Sequence, residues 1–279
     1  MPESSSKDGR SPTRDYTIAL ARAFGGAVIF SLPIFMTMEM WELGVSANRL
    51  RLSLLLLLQI PLLIGLSHLC GFERTPSWFD DVVDAFVALA VGYVAAFVVL
   101  VMFGEITSTL RWDAAVGKIA LQGVPGSIGA LLAQSELGQH GGERIKNSGK
   151  SHKWQFLIML VGSLFLGLSI APTEEVIMLS QQMSAFQGIV MILVSLLIMH
   201  AFVYAVEFRG SAPVPENATL AGLFLRYTIP GYAVATLVSF YLLWTFGRID
   251  GTSISSVIMA CVVLAFPASI GAAAARLIL

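Results

Sequence analysis

The chain has 279 residues, 56% of them hydrophobic and 13% charged, with a net charge of −1 and a mean hydropathy of +0.78. Soluble domains average about 25% charged residues, so half of the usual water-facing surface is missing and a soluble globule is excluded. Two cysteines outside any CxxC or Cys/His spacing exclude a disulfide scaffold and supply no metal motif, and the absence of a basic patch interleaved with aromatics argues against nucleic acid.

The pattern is that of an all-α polytopic membrane protein whose principal partner is the lipid bilayer, with no cofactor implied. Met1 to Asp15 is rich in Ser, Pro and charge and is not followed by a short apolar region with a small-residue cleavage site, so it does not read as a signal peptide. Residues 1–16 are expected to be a disordered cytoplasmic N-terminus. A bilayer core about 30 Å thick needs about 20 apolar residues per helix. Eight segments meet or approach this: 19–41, 52–71, 83–104, 114–134, 155–178, 185–206, 220–246 and 254–276. The fourth is interrupted by Lys118, Gln122 and the cluster Gly123, Pro125, Gly126, and taken alone it also fits a re-entrant or amphipathic segment.

All five tryptophans (41, 78, 112, 154, 244) fall near span boundaries, where an indole buries its ring and still reaches water or headgroups. Of the 17 Lys and Arg, twelve lie on the side of the N-terminus and five (Arg49, Arg51, Arg111, Lys118, Arg248) on the other. This bias predicts both termini in the cytoplasm. The stretch 135–153 is polar and basic and is expected to be a cytoplasmic linker between two four-span units, 17–134 and 154–279.

Self-comparison supports the two units. At an offset of 136, Gly26 falls on Gly162, Thr37 on Thr173 and Glu39 on Glu175. Further on, Gly92-Tyr93 matches Gly231-Tyr232, Phe103-Gly104 matches Phe246-Gly247, and Pro125-Gly-Ser-Ile-Gly-Ala130 matches Pro267-Ala-Ser-Ile-Gly-Ala272. Four spans per unit return the chain to the same side, so a 4+4 parallel internal repeat is expected, related by a pseudo-two-fold axis along the membrane normal. The match to the eighth span also argues that the fourth crosses.

Glu39 and Glu175 are the first candidates for chemistry, because a carboxylate in hydrocarbon is costly and turns toward a cavity or partner. Thr37, Thr173 and Glu174 surround them, and Pro33 and Pro172 each remove a backbone hydrogen bond; Pro172 should free a carbonyl near Ile170 or Leu168. Carboxylates, hydroxyls and carbonyls are hard ligands for a small cation, and a desolvated glutamate can carry a proton. The plainer reading is that these acids reach outer water and end their helices. His68 and His200 are candidates for a proton relay or for helix packing. Pro125 and Pro267 place kinks beside Ser127 and Ser269, which would either line a path or let helices pack closely.

Ser169-Ile-Ala-Pro-Thr-Glu-Glu-Val176 in this eight-span setting resembles an uncharacterised bacterial family of integral membrane proteins of unknown function. The resemblance implies a multi-pass protein of the bacterial inner membrane and brings no activity with it. Ala-Pro-x-Glu-Glu also resembles the first motif of glutamate-dependent intramembrane proteases related to CAAX processing. The Arg that completes that motif is absent, since Val, Ile, Met and Leu179 follow Glu175. The residues four before His68 and His200 are Ile64 and Leu196 where that family has Phe. The sequence therefore reads against an enzyme. The expected function is transport of a small cation or proton-coupled transport, with Glu39 and Glu175 as quasi-equivalent sites near the outer side. The alternative is a non-transporting subunit or anchor of an envelope complex, with a membrane-protein partner or a homo-oligomer.

Overall fold

The computed structural model describes residues 12–70, 78–137, 152–204 and 220–278. Every regular element among them is helical, as hydrocarbon demands of a spanning segment that must bond its own backbone. In chain order these are α1 (Pro12–Phe35), α2 (Met38–Ser46), α3 (Arg49–Cys70), α4 (Trp78–Met102), α5 (Trp112–Leu137), α6 (His152–Ile170), α7 (Glu175–Gln182), α8 (Ala185–Tyr204), α9 (Leu220–Leu223), a π-helical turn (Phe224–Thr228), α10 (Ile229–Thr245) and α11 (Ile254–Ile278). Eight helices are long and apolar enough to cross a bilayer: α1, α3, α4, α5, α6, α8, α10 with the π-turn, and α11. The chain is thus a multi-pass helical membrane protein, and the interrupted fourth segment is a full-length helix. We call the side on which α1 begins the near side and the opposite one the far side. The expected N-terminal tail and 135–153 linker fall largely on residues 1–11 and 138–151, outside the described residues.

Two predicted spans end earlier than hydropathy suggested. Apolar residues run through 41 and 178, but α1 stops at Phe35 and α6 at Ile170. Pro172 accounts for the end of α6, because the residue before a proline avoids helical backbone and the proline lacks an N–H; Pro33 lies inside α1, two residues before its end. After Pro33 the chain turns with Thr37 Oγ1 donating to Pro33 O at 2.9 Å, and Thr37 then precedes α2. After Ile170 the Thr173 N–H bonds Ile170 O at 3.0 Å and α7 begins at Glu175. The Ile170 carbonyl is therefore occupied rather than left free beside the acids.

Both halves show the same succession of one long, one short and three further spanning helices. The Phe-Gly pairs are matching helix ends: Gly104 and Gly247 have φ of +76° and +69°, and the next N–H reaches back five residues, Glu105 to Leu100 O and Arg248 to Leu243 O, both at 2.9 Å. This is the glycine-terminated six-to-one closure that satisfies end carbonyls. In the first half α5 packs against α1, α2, α3 and α4; in the second α11 packs against α6, α7, α8 and α10. The closest crossings also correspond. A Cβ on Gly26 would lie 1.9 Å from Ala133 Cβ, and one on Gly162 would lie 2.2 Å from Gly271 O.

Between the halves, α6 meets α3, α5 and α1, and α10 meets α3. A two-fold axis would pair the α3–α6 contact with an α8–α1 contact, which is not among the main helix contacts. The halves therefore meet off such an axis, along a seam formed by α3 on one side and α6 and α10 on the other.

Candidate functional site

The glutamates singled out in the sequence lie on the far side, beyond the spans. Glu39 is partly exposed in the first turn of α2, and Glu174 and Glu175 are exposed at the start of α7. Glu174 Oε1 is 3.9 Å from Arg248 Nη1, whose other nitrogen donates to Pro172 O. The Glu175 backbone N–H, the neighbouring Thr173 hydroxyl and the Arg248 charge outweigh desolvation and hold the Glu175 carboxyl below the usual glutamate range. A proton carrier needs the opposite shift, whereas Glu175 faces far-side water as an exposed carboxyl held in its charged form. Glu39 and Glu175 stand on α2 and α7, which are not among the main packed helix pairs, and neither side chain lines the two cavities described below.

Ser127 and Ser269 are fully buried and spend their hydroxyls on their own helices, Ser127 on Gly123 O at 2.7 Å and Ser269 on Phe266 O at 2.7 Å. Ser127 also sits where α4 approaches α5, since a Cβ on Gly92 would fall 2.2 Å from its backbone nitrogen. Pro125 and Pro267 lie inside α5 and α11. His200 places Nδ1 3.1 Å from Thr228 Oγ1 and meets the edge of Phe224, both on the π-turn.

The first half carries a different set of polar groups, arranged along its depth. On the near side, His68 of α3 places Nδ1 2.8 Å from Oδ2 of Asp81 in α4. Asp81 is 4% exposed and lies in the first turn of its helix, where free N–H groups favour an anion. Trp154 of α6 stacks on the imidazole at 4.7 Å and 19°, so the second half covers one face of the pair. At mid-depth the Tyr93 hydroxyl donates to Gln59 Oε1 at 3.4 Å. Gln122 of α5 is fully buried with neither amide atom hydrogen-bonded.

Six residues into α5, Lys118 is 9% exposed and its Nζ lies 2.6 Å from Glu105 Oε2. The sequence builds this last pair through glycine: a Cβ on Gly117 would sit 1.9 Å from Gly44 O, so α2 lies directly on α5 and roofs Lys118. Above it opens a far-side cavity of about 530 Å³ lined by Trp41, Glu42, Ser46, Glu105 and Lys118 among others. At 1.5 Å per residue, Gln59 and Gln122 both sit about 15 Å in from the far-side starts of α3 and α5. The bundle of α3, α4 and α5 therefore has an ionisable pair near each end and buried amides at its centre. At the offset of 142, the counterparts of Lys118 and Gln122 are Ala260 and Leu264, so this polar interior belongs to one half only.

The seam between halves is pinned on the far side. Arg51 Nη1 donates to Trp244 O at 2.7 Å and to Asp250 Oδ2 at 2.8 Å, with the guanidinium 4.7 Å from the Trp244 ring centre. Sequence reasoning noted Lys118 and Gln122 only as interruptions, and passed over Asp81 and Glu105. Their signal was the i, i+4 spacing of Lys118 and Gln122, which puts both on one face of a helix. Among the described residues no three His, Cys, Asp or Glu side chains are placed to hold a metal ion.

No curated protein and no solved structure matches the chain. A family model does match, over residues 19–279, and so covers all eight spans. The chain belongs to the family described as "Putative integral membrane protein (DUF2391)".

Proposed function

We propose that the chain moves a small cation, the proton first, across the bilayer through the α3–α4–α5 bundle of its first half. The observation that carries this reading is the placement of His68–Asp81 and Lys118–Glu105 at opposite ends of one bundle, with the orphaned amide of Gln122 between them. Charges inside a membrane domain are expensive, and where they occur they mark ion or proton routes. A purely structural bundle gains nothing from Gln122, because an unbonded buried amide costs about 1–3 kcal/mol; water in the route supplies its partners.

On this reading the imidazole of His68, whose side chain is 43% exposed, takes a proton from near-side water, and the buried Asp81 carboxylate balances the charge. The Trp154 face adds cation–π stabilisation to the protonated ring. At the other end Lys118 and Glu105 form the floor of the mouth, and Glu39, Glu42, Glu174 and Glu175 raise the local concentration of cations at the far surface. The excess of Lys and Arg on the near side supports reading that side as the cytoplasmic one.

Proteoliposomes loaded with a pH-sensitive dye and given an inside-negative potential by potassium and valinomycin test the proposal. The wild-type chain should acidify the lumen faster than protein-free vesicles, and His68→Gln and Lys118→Met should return the rate to the protein-free value. Wild-type vesicles no faster than empty ones, or variants as fast as the wild type, would overturn it. Glu39→Gln and Glu175→Gln should slow entry only at low ionic strength, where surface charge is unscreened.

A further inference from the structure

The seam contains a second cavity, which shares only Gln59 with the polar centre of the α3–α4–α5 bundle. It measures about 440 Å³ and is walled by Leu55, Leu58, Leu62, Leu157, Leu160 and Leu237, with further apolar side chains from α5, α6 and α10. That volume lies within the range of small-molecule sites, about 300–1,000 Å³. Two polar groups interrupt the apolar wall. Gln59 is 2% exposed, and while its Oε1 accepts from Tyr93, its Nε2 has no hydrogen-bond partner. The Tyr241 hydroxyl, from the opposite half, is likewise buried and unbonded. Leu58 and Leu237 are 49% and 68% exposed, so the cavity reaches the lipid-facing surface.

We propose that this cavity binds a neutral, lipid-soluble carbonyl compound that enters sideways from the bilayer. Both unpartnered groups are hydrogen-bond donors, so they call for an acceptor on the guest. The apolar wall excludes a charged guest, whose desolvation nothing there would offset. Water is a poor occupant, because a dry cavity of leucines gives it too few partners. An ordinary lipid tail fills the volume but leaves both donors orphaned, whereas a carbonyl carried on an apolar body satisfies at least one of them. The site stands whether or not the bundle beside it moves protons, since binding is measured without a gradient.

The test uses the purified full chain in detergent with two probes of nearly equal shape, acetylnaphthalene and ethylnaphthalene, which differ by a carbonyl in place of a methylene. Equilibrium binding is read by quenching or by calorimetry. The ketone should bind saturably. Gln59→Leu should weaken it about tenfold, the worth of one neutral hydrogen bond, and should leave ethylnaphthalene unchanged. Comparing one probe across two proteins removes its partition into detergent. Leu160→Trp, which fills the space, should abolish both.

Equal affinity of the ketone for wild type and Gln59→Leu would overturn the proposal and leave a lipid-filled gap. So would the absence of saturable ketone binding. Gln59→Leu removes one unbonded donor together with the 3.4 Å hydrogen bond from Tyr93, a smaller change than the tryptophan, and cooperative unfolding of Gln59→Leu in micelles verifies its fold so that the proposal stays testable.

Discussion

Gly25 and Gly26 are neighbours in α1 with opposite surroundings, and they make the packing of this membrane domain measurable. A Cβ added at Gly25 meets nothing within 4 Å, whereas one at Gly26 falls 1.9 Å from Ala133 Cβ and 3.0 Å from Gly129 O. Carbon–carbon contact is comfortable near 3.5–4.0 Å, so α1 and α5 must separate by about 1.5 Å or more to admit one methyl group. Gly25→Ala should be neutral or stabilising by up to about 1 kcal/mol, the helix propensity gain. Gly26→Ala has the same gain, offset by overpacking of about 1–3 kcal/mol and by lost contacts along the crossing. The two variants should differ by about 2–4 kcal/mol. In the second half Gly162→Ala should behave like Gly26→Ala, because its Cβ would meet Gly271 O at 2.2 Å. Unfolding by a graded increase of sodium dodecyl sulfate in mixed micelles, followed by circular dichroism, gives the free energies. If Gly26→Ala and Gly162→Ala prove as stable as Gly25→Ala, small residues do not set these crossings and the described packing is wrong.

Two further outcomes follow from the ion pairs and the surface acids. Glu105→Gln takes the carboxylate from Lys118, a residue only 9% exposed, which should cost about 3–5 kcal/mol. The double variant Lys118→Met with Glu105→Gln should return to within about 1 kcal/mol of the wild type, because removing a buried pair whole is far cheaper than breaking it; the same micelle titration measures both. Glu175 has a folded-state pKa below its ordinary value, so its stabilisation is present above the unfolded pKa and is lost as pH falls through the folded one. The melting temperature of Glu175→Gln should therefore fall slightly below that of the wild type at neutral pH, and the two should converge below about pH 4. A difference that grows on acidification would contradict the assigned contacts of Glu175.

Hydropathy made the spans legible because a segment facing lipid on one side must be apolar nearly throughout. The same measure misjudged α5 for a physical reason: its span is 78% buried, against 17% for α8. A helix wrapped by α1, α2, α3 and α4 meets little lipid, so its polar residues are met by other helices rather than by hydrocarbon. Lys118 and Gln122 thus marked an interior where they had suggested an interrupted helix. The ends of α1 and α6 were misplaced because the breaks after Phe35 and Ile170, the second next to Pro172, leave the hydropathy of the segment unaltered.

The T-x-E match recurs in the sequence at an offset of 136, and in the structure it falls at the turns into α2 and α7. His68 was visible as an intramembrane histidine. Its partner Asp81 was not, because the two stand on different helices, α3 and α4, between which spacing along the chain carries no geometric rule. The matching glycines, by contrast, stood at offsets that drift only from 136 to 143, and Gly26 and Gly162 reappear at matching crossings.

The proposed proton route depends on the near-side pair of His68 and Asp81, and Asp81→Asn tests this with the smallest change of shape. Reconstituted in dye-loaded vesicles under an inside-negative potential, this variant should acidify the lumen no faster than protein-free vesicles while still unfolding cooperatively in micelles. A folded Asp81→Asn protein that carries protons at the wild-type rate would contradict the account.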